Sequence, residues 1–393
     1  MTNNQLFKSG KECCGCGSCI NICPKNAISM KPDDMGFLYP NIDQSLCVDC
    51  GLCVKSCAFQ NIREKNSPIE VYASVRKDKE KLKKSASGGI FAVVAEHILS
   101  ENGAVFGCSM ETEDGKFYPR HIKAENKKDL LKIQRSKYVQ SDTGKIFREV
   151  KKELLTGKKI LFSGTPCQVA GLKAFLKKDY ENLYTLDLIC HGVPSIKLFQ
   201  DYISYMEQKR KIRIKDFIFR DKSSQGGLIG RITYTKNGKT FKKPVDTKLS
   251  SYYSYFLSGS IYRKSCYNCK YTNSHRTGDI TIGDYWGFRK IYPDIYEKMF
   301  SIKDGISAMI INTEKGRQLF ETIKDDIVFF QSDYESVSKF NPQLLQPCKK
   351  TQLYDRISEK YRKYGYSGIE NLYRPTMVKN KLKKTIKKII GRQ

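Results

Sequence analysis

The chain has 393 residues, 40% of them hydrophobic, enough for two or three domains whose cores need no disulfide staples. Its 15 cysteines are an odd number that a disulfide framework leaves unmatched, and no apolar run approaches the length of a membrane span. The formal charge is +29, yet residues 1–60 balance five lysines against five acids, so the excess lies beyond residue 60. Charge alone does not choose among nucleic acid, anionic lipid, an acidic protein and an anionic cofactor.

No apolar leader follows Met1, so the expected location is the cytoplasm, where thiols stay reduced and clustered cysteines serve metals. The first element in chain order is such a cluster: Cys13-x2-Cys16-x2-Cys19-x3-Cys23-Pro24, repeated as Cys47-x2-Cys50-x2-Cys53-x3-Cys57. This is the spacing of two-cluster bacterial ferredoxins, in which three closely spaced thiolates wrap one cubane and the fourth reaches the neighbouring one. Cys13, Cys16, Cys19 and Cys57 are therefore expected to hold one 4Fe–4S cluster, and Cys47, Cys50, Cys53 and Cys23 a second. Ala58 stands where proline ends the first run, and Cys14 falls outside the spacing. A zinc module needs only one or two Cys-x2-Cys pairs, so two matched runs of four argue against it.

Residues 61–70, polar and holding Pro68, read as a linker. Beyond it, residues 89–100 read as a helix and 103–110 as a strand. Strand–loop–helix patterns follow over 158–178 and 182–208. Residues 215–220 and 230–245 read as strands, the latter a hairpin turning at Asn237-Gly238; 251–257 read as a helix, and 278–287 and 305–313 as further strands. This alternation predicts an α/β domain with a mainly parallel sheet and an antiparallel portion.

In that architecture ligands sit where strands give way to helices. Three such junctions carry suitable residues: "SASGG" (Ser85–Gly89), "SGTPC" (Ser163–Cys167) and "CHGVPS" (Cys190–Ser195). Each taken singly also fits a capped turn; together they point toward a nucleotide-type ligand, although no G-x-G-x-x-G or Walker lysine motif is present. Seven cysteines remain outside the ferredoxin spacing. Cys167, Cys190 and the pair Cys266 and Cys269 suit a third cubane, and spacing alone equally allows buried thiols beside an unrelated turn. Roles for Cys14, Cys108 and Cys348 stay open.

Taken in order, "SASGG", "SKYVQS", "GTPCQVAG", "CHGVPS", "CYNC" and "DITIGDYWG" resemble the coenzyme F(420) hydrogenase/dehydrogenase beta-subunit family, from about residue 68 to about residue 350. The resemblance implies an α+β ferredoxin-like two-cluster domain at 1–62, then an α/β flavin-binding domain with a mixed sheet at 70–350. It implies FAD held by Ser87, Gly88, Gly89, Lys137, Tyr138, Gly164 and Thr165, and a third 4Fe–4S cluster on Cys167, Cys190, Cys266 and Cys269. His191 and Asp284 would be the catalytic residues, with Trp286 near the same centre. Lys137 would set a positive charge beside the cofactor, and His191 would donate a proton.

Residues 351–393 are expected to form a helical, basic tail. Its last stretch holds seven Lys/Arg between Lys379 and Arg392 with no acid, and Val378, Leu382, Ile386 and Ile389 share a helical face. That pattern suits a membrane-surface helix at the inner leaflet, as well as a terminal helix packed on the body. The expected function is an FAD-dependent iron–sulfur oxidoreductase. It would exchange electrons with a ferredoxin-type carrier or redox partner subunit and act on a small-molecule or lipid-linked substrate, as in polysaccharide biosynthesis, where relatives of the family are encoded. The alternative is an electron-transfer subunit or iron–sulfur scaffold with no substrate site. Nucleic-acid binding fits least, because no basic–aromatic interleaved motif accompanies the charge.

Overall fold

The computed structural model describes residues 6, 10–63, 66–222, 228–301 and 304–390, with side chains to 386. In the amino-terminal part, strands β1 (Ile28–Pro32) and β2 (Leu38–Ile42) pair antiparallel between two short helices, Ser18–Ile22 and Leu52–Lys55. Each helix is entered through a left-handed glycine inside its cysteine run, Gly17 at φ 81° and Gly51 at φ 67°. An L-residue resists that conformation, so the glycines make the tight reversal that gathers the thiols.

The body follows with β3 (Glu70–Arg76), β4 (Ala104–Glu113), β5 (Lys116–Ala124), β6 (Ile160–Gly164), β7 (Leu183–Leu188), β8 (Arg213–Ile218), β9 (Ile229–Lys236), β10 (Lys239–Asp246), β11 (Ile280–Asp284), β12 (Ser307–Ile311) and β13 (Ile327–Ser332). Eight of these form one sheet in the order β13-β3-β12-β11-β7-β6-β4-β5. Pairing is parallel only between β4 and β6, β6 and β7, and β7 and β11; the remaining pairs are antiparallel. The expectation of a mainly parallel sheet is thus corrected to a parallel centre with antiparallel flanks. Those flanks include β3, β5 and β13, which the residue pattern left unassigned. β6, buried along its whole length, has the continuous apolar character of a central parallel strand.

β8, β9 and β10 form a separate antiparallel sheet whose hairpin turns at Asn237 and Gly238, φ 49° and 74°, as that dipeptide favours. Against this sheet pack the helices Ile196–Arg210 and Ser251–Leu257 and the first half of the helix Gln352–Ile390, around an aromatic core. Phe199 meets Phe217 edge-on at 5.3 Å, and Tyr202 stacks on Tyr252 at 5.1 Å. Each fully buried ring contributes about 1.5–3 kcal/mol. The long helix breaks at Gly365, and Ile357, Tyr361, Tyr366, Ile369 and Tyr373 are all buried in this core.

The strand ends that build the site are locked by Asp187, wholly buried on β7. Its carboxylate accepts from Arg276 Nη2 at 3.0 Å, from the amides of Thr277 and Gly278 at 3.1 and 2.9 Å, and from the hydroxyls of Thr277 and Thr281 at 2.9 and 2.5 Å. Burial pushes this carboxyl upward, but Arg276 and the surrounding donors outweigh it and hold it below its ordinary range. Arg276 in turn donates to the carbonyls of Tyr271 and Leu188, fixing the loop after Cys269 against the end of β7. Asp187→Asn, which removes the charge and turns an amide toward donors, should lower stability by about 3–5 kcal/mol. Urea unfolding followed by circular dichroism measures this as a fall in the midpoint at unchanged slope.

Candidate functional site

The structure gathers twelve cysteines into three groups of four. Cys13, Cys16, Cys19 and Cys57 are close enough to perturb one another electrostatically, and burial raises the thiols of Cys13, Cys19 and Cys57. Cys47, Cys50, Cys53 and Cys23 line one hollow at the outer face of the ferredoxin part, where Cys50 is exposed. Cys167, Cys190, Cys266 and Cys269 form the third group, linked to one another electrostatically. Burial pushes Cys190 up to about 12 and Cys269 up to about 11. Among the described residues no group of three or more Cys, His, Asp or Glu side chains is arranged to hold a metal ion.

The first and third groups adjoin. Cys14, which the spacing left spare, packs in one cluster with Cys16 and Cys167, close enough to both that its own thiol is held well above its ordinary value. The Cys14 thiol and the Thr165 hydroxyl together hold the Cys167 thiol below its ordinary value. Contact is this close because the helix Pro166–Leu176 presents Gly171 to the ferredoxin part; a Cβ there would sit 2.8 Å from that of Cys16.

Arg263 pins the same junction. Its side chain is fully buried, donating from Nε to the Cys13 carbonyl at 2.7 Å, from Nη2 to the Leu38 carbonyl at 2.8 Å, and from Nη1 to Gln140 Oε1 at 3.2 Å. Nη2 also reaches Cys13 Sγ at 3.5 Å, and the guanidinium lies 4.1 Å from the centre of the Tyr39 ring. Thr143 and Gln140 donate to the carbonyls of Cys16 and Cys14, and Arg148 to that of Cys23.

Beyond the third group opens a cavity of about 610 Å³ at the ends of the parallel strands, lined by all three strand–helix junctions. Ser87, Gly89, Lys137, Tyr138, Gly164, Thr165, His191 and Asp284 line it, together with Cys14 and Cys108. Gly88 does not face it: its amide donates to Ser307 Oγ, and a Cβ would fall 2.2 Å from the Ser74 carbonyl, so this glycine packs the loop onto the sheet. Thr165 is turned aside, its hydroxyl 3.2 Å from Cys167 Sγ and donating to Gln168 Oε1. Trp286, expected near the centre, stands at the rim, 39% exposed.

Lys137 differs most from expectation. Its ammonium donates to the carbonyls of Gln134, Lys132 and Arg135 in its own turn, at 2.6, 3.1 and 3.4 Å, instead of projecting as a free charge. Burial pulls its pKa down to about 8. Tyr138 makes a flat wall, stacked on Phe256 at 4.6 Å, with its hydroxyl pushed up to about 12 by burial.

The motifs missed Arg220 and His121. Arg220 Nη1 donates to Asp284 Oδ2 at 2.5 Å, so Asp284 serves this guanidinium from 64 residues away. His191 faces the open cavity, where partial desolvation lowers its pKa. His121 is held between the Ser163 carbonyl at 3.0 Å and the Ser141 hydroxyl at 3.1 Å, with burial lowering it to about 4. Ser265 Oγ and Gln343 Oε1 are buried in the cavity wall without a hydrogen-bond partner among the described residues.

Residues 157–336 match the family described as the carboxyl terminus of the coenzyme F420 hydrogenase/dehydrogenase beta subunit, and residues 12–61 match the 4Fe-4S dicluster domain. Over these residues the chain belongs to the coenzyme F420 hydrogenase/dehydrogenase beta-subunit family, with a dicluster domain before it. Similar proteins include the coenzyme F420-dependent sulfite reductase of Methanocaldococcus jannaschii, 24% identical over 387 residues. That alignment covers 93% of this chain, which spans only about half (54%) of that relative's length. One subunit of the F(420)H(2) dehydrogenase of Methanosarcina mazei is 18% identical, over 80% of this chain and 83% of its own. Among solved structures, the F420-reducing [NiFe] hydrogenase complex from Methanosarcina barkeri contains a chain aligning with a TM-score of 0.43 and 18% identity, over 80% of this chain and 95% of that one.

The buried amine gives a direct check on the cavity. Competitive acetylation across pH, read by mass spectrometry, should give Lys137 a midpoint near 8, with its charge present below that pH and lost above it. The reference for an unperturbed lysine is about 10.4.

Proposed function

We propose that this chain is an FAD-dependent iron–sulfur oxidoreductase whose three cysteine groups each hold a 4Fe–4S cluster and whose cavity holds the flavin. The carrying observation is one packed cluster in which Cys14 joins Cys16 and Cys57 of the inner ferredoxin group to Cys167 and Cys269 of the group bordering the cavity. When bound, clusters pass single electrons and a flavin exchanges pairs, so the two together link a one-electron carrier to two-electron organic chemistry.

The residues present suit both groups. Each cysteine set supplies only thiols, the donor chemistry of Fe–S clusters. The cavity's volume falls within the ordinary range for cofactor sites, its wall offers the unpartnered Ser265 Oγ and Gln343 Oε1, and Ser87 and Gly89 approach at the start of the helix Ile90–Ser100. Tyr138 supplies an aromatic wall. Arg220, oriented by Asp284, is the cation available to an anionic part of cofactor or substrate, a role the sequence suggested for Lys137. In this reading Asp284 is a positioning residue, while His191 is the group able to hold or release a proton at the substrate.

Exchange with an external carrier or a partner protein belongs at the outer group. Leu46, Val48 and Val54 are exposed around it, a small apolar surface suited to transient docking. The Methanosarcina mazei relative, named as one subunit of a dehydrogenase, supports a redox partner. The substrate class is a small molecule or lipid-linked intermediate, with polysaccharide assembly as one setting.

Protein purified without oxygen should contain about twelve iron atoms per chain and release FAD on denaturation. Cys190→Ala should reduce the iron to about eight while leaving the ferredoxin signals in place. Full iron without flavin would favour the electron-transfer alternative, a chain with no substrate site. Arg263→Met removes a buried donor to Cys13 and should shift one cluster's midpoint potential to more negative values, read by electron paramagnetic resonance during redox titration; an unchanged potential would detach Arg263 from the inner cluster.

A further inference from the structure

The end of the long carboxyl-terminal helix is turned the opposite way from an ordinary terminal helix. Its polar side chains touch the body: Tyr373 and Asn380 donate to the Lys248 carbonyl at 2.7 and 2.8 Å, and Lys384 pairs with Asp246 at 2.8 Å. Met377 packs inward on the same side. Val378, Leu382 and Ile386 face solvent, 49%, 60% and 52% exposed. At about 100° per residue, Met377, Asn380 and Lys384 lie nearly opposite that apolar stripe. The body therefore does not cover the stripe, and packing of the tail by its apolar face, one of the sequence-level alternatives, does not occur for these residues.

Charge identifies the occupant. From Asn371 to the end of the chain there is no acid, while Lys379 and Lys383 flank the stripe on one side and Lys381 on the other. Long lysine stems beside an apolar ridge can bury their methylenes while keeping ammonium groups at headgroup level. A nucleic-acid backbone would use the lysines and leave the leucine and isoleucine in water; an anionic bilayer uses both. No helix among the described residues is long and apolar enough to cross a membrane, so the contact is with the surface. The segment also lies beyond residue 336, where the family match ends.

We infer that residues 375–390 form a membrane-surface helix that seats Val378, Leu382 and Ile386 in the interface of an anionic bilayer. The body would then be tethered through the contacts at Asp246 and Lys248, independently of which cofactors the cavity holds.

The full chain should co-sediment with phosphatidylglycerol/phosphatidylcholine vesicles and weaken as salt rises. Leu382→Glu, at a position with no core contact, should cut that binding about tenfold or more. The triple change of Lys379, Lys381 and Lys383 to Gln should weaken it about fivefold per lysine. Circular dichroism and iron content should stay unchanged in both variants. Absence of vesicle binding, or equal binding to pure phosphatidylcholine, would overturn the inference. So would a concentration-dependent dimer abolished by Leu382→Glu, or duplex DNA binding sensitive to the lysines but indifferent to Leu382.

Discussion

A guanidinium removed wholly from water controls how the two parts of this chain meet. An isolated buried charge costs several kcal/mol, and the cost is met only by complete hydrogen bonding and an attractive surrounding field. Arg263 finds most of both across the junction: the carbonyls of Cys13 and Leu38, the face of Tyr39 and the sulfur of Cys13 all belong to the ferredoxin part. Undocking that part would strand the charge. The ferredoxin part is therefore seated at one place on the body, and the packing of Cys14 and Cys16 with Cys167 follows from that seating.

A second buried charge organises the other side of the site. Asp187 collects donors from the segment 276–281, and Arg276 spans from it to the carbonyls of Leu188 and Tyr271. Leu188 closes β7 two residues before Cys190, and Tyr271 follows Cys269 by two. One salt bridge thus sets the separation of two cysteines that lie far apart in sequence. The parallel strands supply the remaining geometry, because β4, β6, β7 and β11 all release their chains at one end, where the three junction loops converge on the cavity.

What the sequence disclosed is what spacing encodes. The two cysteine runs are local, and the glycine turn inside each is local too, so the first eight thiols were legible before any fold was known. The junction loops could be read as strand–helix boundaries, and their motifs named the family. Partners brought together by the sheet could not be read. Arg220 with Asp284, Arg263 with Cys13, and His121 with Ser163 are 64, 250 and 42 residues apart, and no periodicity announces them. Lys137 shows the opposite failure: the residue was found, but a local turn offered its ammonium three carbonyls and withdrew it from the role its charge suggested. β5 alternates in burial, but its inward positions include Pro119 and His121, which do not read as an apolar strand face, and β13, an edge strand, packs apolar side chains on both faces, so neither shows an apolar–polar alternation in sequence.

On the proposed reading, these burial patterns also order the clusters energetically. Adding an electron makes a cluster more negative, and burial opposes that by removing water, so the inner group alone would be harder to reduce than the outer one beside exposed Cys50. Arg263 acts against this trend, being a permanent cation at the inner group's Cys13 and within electrostatic reach of Cys167 in the third. At the outer group the half-buried Arg148 donates to the Cys23 carbonyl, and among the described contacts no cation reaches a sulfur of that group. The arrangement narrows the gap between an exposed cluster and two buried ones, which a one-electron relay requires if no step along it is to be strongly uphill. The docking charge and the electron relay are then a single device: the residue that locks the ferredoxin part in place is the one that offsets the electrostatic cost of burying its inner cluster.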